Sequence, residues 1–465
     1  MTKRLWGTRF SKKMYPLTEK FTSSISFDKR LAKYDCLGSI AHVKMLKKQK
    51  IISAKDARII IKGLISIMQD LRDGRFHFDP HAEDIHSNIQ EVLFKKIGRV
   101  ADKLHTARSR NDQIVLDTRL YLKDEINLFL SLIAELQKAI LKFAKAHFEV
   151  IIPGYTHLQI AQPVLLAHYL LAYLEGLERD KERLSDSFKR VDFMPLGACA
   201  FSGTSLPIDR EFVARQLGFK KIAANSIDAV SDRDFVVEVL ASLAILAVHL
   251  SRMAEDLILW STKEFNFIEI DFSFCTGSSI MPHKKNPDIL ELIRGSVGKV
   301  QGNLLSVLTL LKGLPSSYNR DLQLDKPPLF EAIDTVKQIL EIFIPLFGHI
   351  CVKKEAISCR LEDESLFSVD IVEYLIKKGV SYRQAHDIVG KMVRDCLDKD
   401  KRISDLTIQQ LKKYSDKLAP DIKKILDAQV SIKLKTSYGS TNPKLVLKQI
   451  RKWEGILKTS SRQLG

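Results

Sequence analysis

Apolar residues recur along this chain in alternating steps of four and three. Leu122, Ile126, Phe129, Ile133, Leu136, Ile140 and Phe143 form one such series. Val236, Leu240, Leu243, Ala247, Leu250, Ala254 and Leu257 form a second, and Leu329, Ile333, Val336, Leu340, Phe343 and Phe347 a third. A sustained repeat of about 3.5 residues lays a narrow apolar seam along one side of a long helix. Two more helices fit between these. One starts at Pro163, a good first helical position, and one runs from Pro287 to about Lys312. Five long helices with narrow seams predict an all-α chain with a central bundle. Pro345 is expected to kink or end the last of them.

The stretch from Val236 to Leu246 is apolar on more than one side. Such a helix must bury more surface than its own domain covers, which predicts a symmetric homo-oligomer packed bundle to bundle. Three mainly helical domains are expected: an N-terminal one over 1–107, the bundle over 108–358 and a small lysine-rich one over 359–465. Gly203-Thr204-Ser205-Leu206-Pro207 and Leu314-Pro315-Ser316-Ser317 read as loops. No internal repeat or low-complexity segment stands out.

Composition changes this picture little. The chain has 465 residues, 45% of them apolar and 28% charged, which is ordinary for a soluble globular protein with a large core. Met1 to Gly7 lacks the apolar stretch of a signal peptide. Val236 to Leu250, the best candidate for a membrane span, is broken by Glu238, Ser242 and His249, so no membrane partner is expected. The cysteines at 36, 199, 275, 351, 359 and 396 form no Cys-x-x-Cys pair and lack zinc-ligand spacing. They read as free thiols of a cytoplasmic protein. The net charge of +17 raises nucleic acid as a partner. However, Lys47, Lys48 and Lys50, like Lys412 and Lys413, sit on mixed-charge helices that read as solvated faces, and no nucleic-acid-binding motif accompanies them. A positive field also suits a substrate with several carboxylates.

The chemistry concentrates in one polar loop, Gly277-Ser278-Ser279-Ile280-Met281-Pro282-His283-Lys284-Lys285-Asn286-Pro287-Asp288. Gly277 and the serines give mobility, while Pro282 and Pro287 confine it to a few hinges. Two ammonium groups, an amide and two hydroxyls suit a lid that closes on an anion and brings its own reactive group. The simpler reading of such a string is a surface turn.

This loop resembles the signature loop of the fumarase/aspartase superfamily, whose members release fumarate from a substituted succinate. Leu104-His105-Thr106-Ala107-Arg108-Ser109-Arg110-Asn111-Asp112-Gln113 and Pro153-Gly154-Tyr155-Thr156-His157-Leu158-Gln159 resemble the other two signature regions of the argininosuccinate lyase family. So do Leu5-Trp6-Gly7-Thr8-Arg9-Phe10, the run from Leu250 to Leu257, the segment from Lys312 to Gln323, and Tyr438-Gly439-Ser440-Thr441-Asn442-Pro443. The resemblance covers nearly the whole chain. It departs at Ala107 and Ser440, where the family favours glycine, and at Ile160, where arginine is common.

The resemblance implies a homotetramer with a twenty-helix core and active sites shared between three subunits. It implies cleavage of argininosuccinate to arginine and fumarate, the last step of arginine synthesis, with no cofactor and no metal. It makes Ser278 the candidate base and His157 its catalytic partner, with Glu291 pairing to His157. Lys284 and Asn286 then face the carboxylate on which charge develops. Ser109, Arg110, Asn111 and Thr156 would hold the succinate part, with Arg110 able to grip a carboxylate through two parallel hydrogen bonds. Ser24, Tyr318, Gln323 and Lys326 would meet the arginine part, and His86 would neighbour the site. Without the resemblance, Arg108 and Arg110 read equally well as helix N-terminal partners of Asp112, His157 reads as a structural histidine, and Glu83-Asp84-Ile85-His86 raises metal ligation. The same-fold alternative is an adenylosuccinate lyase, whose lid often shares His283. A non-catalytic crystallin-like homologue is the alternative of a different class, and it predicts a lost catalytic group; none is lost here.

Overall fold

The computed structural model describes residues 14–463, with side chains through 459, and most of them are helical. The Leu5–Phe10 string lies outside the described residues. The chain divides into two compact units. One comprises residues up to Leu130, Asp180–Ile245 and Gly298–Lys337; the other comprises Ser131–Arg179, Leu246–Val297 and residues from Gln338 on.

In chain order, the main elements begin with α1 (Ala32–Lys48), α2 (Ala54–Arg72), α3 (Ile85–Ile97) and α4 (Arg110–Ala146). The hairpin strands β1 (Ile151–Thr156) and β2 (Gln159–Leu165) lead into α5 (Leu166–Val191) and later α6 (Asp234–Ser261). Then come β3 (Ile268–Ile270), β4 (Thr276–Gly277), β5 (Lys285–Asn286), α7 (Asp288–Leu311), α8 (Lys326–Leu346), β6 (Ile350–Val352) and finally α9 (Pro443–Gln463). These strands are short and pair two by two, antiparallel: β1 with β2, β3 with β6 and β4 with β5; the two-residue strands Phe193–Met194 and Lys221–Ile222 form a further, parallel pair.

The first unit shows why its small helices start and stop where they do. Ser53 accepts the Asp56 N–H at the start of α2, and Asp84 accepts the Ser87 N–H at 2.6 Å at the start of α3. Gly98, at φ +69, ends α3 in a conformation that costs glycine little. Gly63 lets α2 and α3 approach: a Cβ there would lie 2.6 Å from Leu93 Cδ1.

The five long helices α4 to α8 carry the predicted seams, and the seams are the core. Leu122, Ile126, Phe129, Ile133, Leu136 and Ile140 of α4 are all buried, as are Leu240, Leu243, Ala247 and Leu250 of α6. Within the first unit, Arg119 of α4 donates to the Arg190 carbonyl of α5 at 2.7 Å, and Ser187 of α5 meets Ser242 of α6 at 3.3 Å. Lys299 of α7 pairs with Glu331 of α8 at 2.8 Å, and Phe330 of α8 packs edge-on against Tyr121 of α4. In the second unit, Gln137 of α4 donates to Leu174 of α5, Tyr169 of α5 to Asp256 of α6, and Arg294 of α7 to Glu255 of α6. Each long helix therefore touches the next, and α8 returns to α4. This is the all-α bundle expected from the periodicity.

One expectation needs correction. Pro163 does not start a helix; it lies in β2, paired with Pro153, and α5 begins at Leu166. Proline lacks an N–H, and in a two-stranded hairpin it loses little by facing outward from the ladder. Pro153-Gly154, at the head of the third signature string, makes no turn of its own. Those residues belong to β1, and the chain reverses at His157-Leu158. By contrast, α8 ends one residue after Pro345, in keeping with a proline stop. By length and composition α6 could cross a membrane, but its apolar seam is buried within the protein.

Just before α4 the backbone turns through Ala107 at φ +57. An L-residue there carries a steric cost of about 1 kcal/mol that glycine avoids. Ala107→Gly should therefore stabilise the chain by roughly 0.5 kcal/mol, the steric relief less glycine's larger unfolded-state entropy. This is read as a raised denaturant midpoint; an unchanged or lowered midpoint would contradict the strain.

Candidate active site

The first unit gathers most of the predicted substrate-binding residues near the start of α4. Asp112, in the first turn, is buried. One of its oxygens accepts the Ser109 N–H at 3.0 Å; the other accepts the Gly197 and Cys199 N–H groups at 2.9 and 2.8 Å. These bonds fix the Arg108-to-Asn111 turn at the N-terminal, electropositive end of a 37-residue helix. Arg110 is half-buried. Its Nη1 donates to Gln113 at 3.0 Å, and its Nε lies 3.6 Å from Asp84. Asn111 donates to the Ala200 carbonyl at 2.9 Å. The Asp112 ion-pair reading thus gives way to backbone capping, and Arg110 pairs with Asp84 instead.

His86 is buried between two acids, with Nδ1 3.5 Å from Asp35 and 3.6 Å from Asp117. Burial pushes Asp117 well above the usual carboxylate range, and repulsion from Asp35 adds to this. Burial also disfavours the Asp35 charge, but His86 and Arg108 outweigh it and hold Asp35 well below its usual range. Asp35, His86 and Asp117 bring their donor atoms within 4.8 Å of one another, a spacing that could hold a metal ion. The residues fit that role poorly: Asp35 already accepts from Gln113, and the Arg108 and Arg110 guanidiniums supply positive charge to the same carboxylates.

Ser24 is buried and donates to Asp28 at 2.6 Å, while its N–H reaches the Glu83 carbonyl. Gln323 donates to the Thr22 carbonyl at 3.3 Å. The ring of Tyr318 packs against Ala198, Ala223, Ala229 and Val230. Lys326 is buried and donates to Asp325 at 2.6 Å; burial lowers its ammonium below the usual range despite that partner.

The second unit carries the reactive candidates. His157 and Leu158 form the two-residue tip of the β1–β2 hairpin, between the paired Thr156 and Gln159. Both have positive φ, +54 and +56. A two-residue hairpin turn of this hand requires that geometry and normally takes Asn and Gly. Here a histidine and a leucine are held in it, a strain of the kind that collects at functional sites. Thr156, His157 and Leu158 are all exposed. The hairpin is braced at its base by Thr441, whose hydroxyl accepts the Leu165 N–H at 2.8 Å, and along its side by Tyr155, whose ring packs at a tilt against Phe265.

The polar loop is closed at its base by β4–β5 pairing and by a hydrogen bond from Thr276 to Asp288. Inside it, the Ser278 hydroxyl oxygen accepts the N–H groups of Met281 at 3.1 Å and Ile280 at 3.4 Å. Two such donors stabilise negative charge on that oxygen, as a serine base requires. The adjacent lysines differ. Lys285 is engaged by Glu269 at 3.3 Å and lies over the Phe272 ring, whereas Lys284 is exposed and makes no ion pair among the described residues. The Asn286 amide donates to Gly277 at 3.4 Å. Glu291, in the first turn of α7, is exposed, and no hydrogen bond joins it to His157 among the described residues.

The chain therefore groups Ser24, His86, Ser109, Arg110, Asn111, Tyr318, Gln323 and Lys326 in the first unit, and Thr156, His157, Ser278, Lys284, Asn286 and Glu291 in the second. Sequence reading missed Asp28, Asp35, Asp117, Arg233 and Asp325. Nothing in their spacing joins them to a motif, because helices far apart in sequence bring them together. Arg233, in the acidic string Asp232-Arg233-Asp234 at the start of α6, carried the one visible signal.

Comparison with known proteins gives the class first. Residues 8–302 match the family model described as lyase, and 366–433 match the one described as argininosuccinate lyase C-terminal. An EDDS lyase variant with bound fumarate has a TM-score of 0.85 at 27% identity, covering 99% of this chain and 94% of that one. The class II fumarase of Schistosoma mansoni shares the fold, with a TM-score of 0.74 at 18% identity over 89% and 92% of the two chains. These define a helical lyase of the fumarase/aspartase superfamily. Argininosuccinate lyases of Syntrophus aciditrophicus and Pelotomaculum thermopropionicum are each 50% identical to it; the first covers 98% of this chain and 97% of its own length, the second 97% and 98%. The chain belongs to the argininosuccinate lyase family.

Burial raises the Asp28 carboxyl to about 6, against the counter-pull of His86 and Ser24. The folded protein thus keeps a proton on Asp28 between about pH 4 and 6 that the unfolded chain has released. That contribution to stability is complete below the unfolded pKa and is lost as pH rises through 6. Relative to Asp28→Asn, wild-type stability should fall by about 1.4 kcal/mol per pH unit over that window. Parallel denaturation curves at pH 4, 5 and 6 check this, and a constant difference would refute it.

Proposed function

We propose that this chain cleaves argininosuccinate to L-arginine and fumarate by reversible β-elimination. The observation that carries the reading is the Ser278 oxygen accepting two backbone N–H groups inside the lid, in a chain that aligns with argininosuccinate lyases over almost its whole length. In this reading Ser278, as alkoxide, takes the proton from the carbon beside the succinate carboxylate. Electrons from that C–H bond collect on the carboxylate, where Lys284 and Asn286 meet the second negative charge. The carbon–nitrogen bond then breaks, and His157 passes a proton to the departing guanidino nitrogen, directly or through water. Glu291 raises the basicity of His157. Arg110, Ser109, Asn111 and Thr156 hold the succinate part; Ser24, Tyr318, Gln323 and Lys326 hold the arginine part, with His86 behind them.

The same reading makes the working form a homotetramer with sites shared between three subunits. Support comes from α7, which leaves Leu292, Leu305 and Leu308 exposed and has open space beside Gly295, Gly298 and Gly302. An apolar helix face with small residues is one that another helix can approach closely. Six free thiols fit a cytoplasmic location.

Fumarate release, followed by ultraviolet absorbance, tests the activity. Argininosuccinate should turn over, adenylosuccinate should not, and Ser278→Ala should lose at least about 100-fold in kcat. A folded wild type inert toward argininosuccinate overturns the activity; an active Ser278→Ala overturns the role of the serine. Mixed oligomers of Ser278→Ala with His157→Asn should recover part of the activity that each lacks alone. No recovery from verified mixed oligomers would contradict shared sites.

A further inference from the structure

The lid is tied to the rest of its unit at few points. Residues 279–284 are all exposed, and the chain becomes half-buried again at Lys285. Apart from the β4–β5 pairing, the hydrogen bonds of residues 277–286 among the described residues close within that range. Ile280 and Met281 donate to Ser278, Lys284 to the Met281 carbonyl and Asn286 to Gly277. The bond from Thr276 to Asp288 joins the two ends of the loop to each other and to no third element. Lys285 is the exception. Its ammonium lies 3.3 Å from Glu269 of β3 and 4.0 Å from the centre of the Phe272 ring.

Glu269 is itself held in place. Lys353, the residue after β6, takes its other carboxylate oxygen at 2.7 Å, and the Lys353 N–H bonds to the Phe267 carbonyl. On either side of Glu269 the strands pair Ile268 with Val352 and Ile270 with Ile350, and all four of those side chains are buried. The carboxylate therefore stands fixed before the lid lysine reaches it, and only one side chain has to be ordered to make the contact. Successive side chains of a strand point to opposite sides. Holding Lys285 against β3 thus turns Asn286, its neighbour in β5, the other way, and it also fixes the backbone from which Lys284 projects.

We propose that Glu269 is a positioning residue of the lid: through Lys285 it anchors the returning limb, so that Lys284 and Asn286 come to one place each time the lid closes. The proposal rests on the reading above in which those two residues meet the charge that develops on the substrate. Groups that stabilise a developing charge act only when they are correctly placed, so a loosened limb costs rate before it costs binding. The anchor is modest because the pair is partly exposed. An exposed ion pair alone corresponds to a change of roughly 3- to 5-fold, and the ring contact raises that to roughly 10-fold.

Steady-state kinetics of the whole oligomeric enzyme test this. Glu269→Gln should lower kcat for argininosuccinate roughly 3- to 5-fold, with KM and melting temperature unchanged. Lys285→Gln, which loses the ring contact as well, should lower kcat roughly 10-fold, and adding Glu269→Gln to it should lower kcat no further. Lys285→Arg, which keeps the charge, should recover most of that loss. Lys353→Gln removes a partner of Glu269 that does not touch the lid and should stay within about 2-fold of wild type. High salt should bring wild type down toward Glu269→Gln. Trypsin reads the lid without any need for activity: cleavage after Lys284 or Lys285 should be faster in Glu269→Gln than in wild type. The proposal is overturned if folded Glu269→Gln keeps the wild-type kcat, if the losses of the two lid variants add in the double variant, or if Lys353→Gln is as impaired as Glu269→Gln. Should Glu269→Gln fail to fold, Lys285→Gln and Lys285→Arg decide by the same comparison. A wild type inert toward argininosuccinate, in which Glu269→Gln still speeds cleavage of the lid, would sink the proposed activity and leave the anchor standing.

Discussion

The arrangement of the first unit depends on one buried carboxylate. Asp112 satisfies the Ser109 N–H at the start of α4 and two N–H groups of the Gly197-to-Cys199 loop. Three donors on one side chain would ordinarily keep it fully ionised. Burial is stronger here and lifts it to about 6. That tension shows what the residue is for: it accepts a desolvation cost to lock a helix start against a loop. The lock reaches further than its own contacts. Ala198 lies in the loop and forms part of the bed under Tyr318, while Asn111 bonds to the next carbonyl but one, that of Ala200. A helix N-terminus, the Arg108-to-Asn111 turn and an aromatic ring are thus registered to one another through a single side chain.

The bundle was legible in the sequence because its physics is periodic. Burying one stripe of a long helix forces a repeat of about 3.5 residues, and Leu122 through Phe143 display it openly. The hairpin after α4 was not legible in the same way. Ile160, Pro163 and Val164 are apolar or neutral without strict alternation, and Pro163 is as good a first helical residue as a strand residue. What decides the matter is pairing across to Pro153 and Ile152, which no local pattern announces. Ala107 lay between these extremes. Its departure from a usual glycine was visible, and the positive φ gives that departure a physical meaning.

The chemical groups were legible only where they stand in one contiguous string. Ser278, Lys284 and Asn286 come from one loop, and the division of labour between Lys284 and Lys285 needed coordinates. The buried ionic clusters were illegible for a plain reason. Asp35, His86 and Asp117 come from three different helices, and Arg233 meets Asp325 across 92 residues of chain. Compensation between buried charges is a property of tertiary packing, and a sequence shows the charges without showing which ones face each other.

The hairpin tip has one consequence for the imidazole it carries. Most histidines are aimed by a hydrogen bond to one ring nitrogen, which leaves only the other to work. His157 makes no such bond among the described residues; its ring is offered to solvent by a backbone held at positive φ over two successive residues and braced at Thr441 and Tyr155. The backbone sets where the Cα–Cβ bond of His157 points, at the very tip of the hairpin, and leaves both faces of the imidazole open to whatever approaches it.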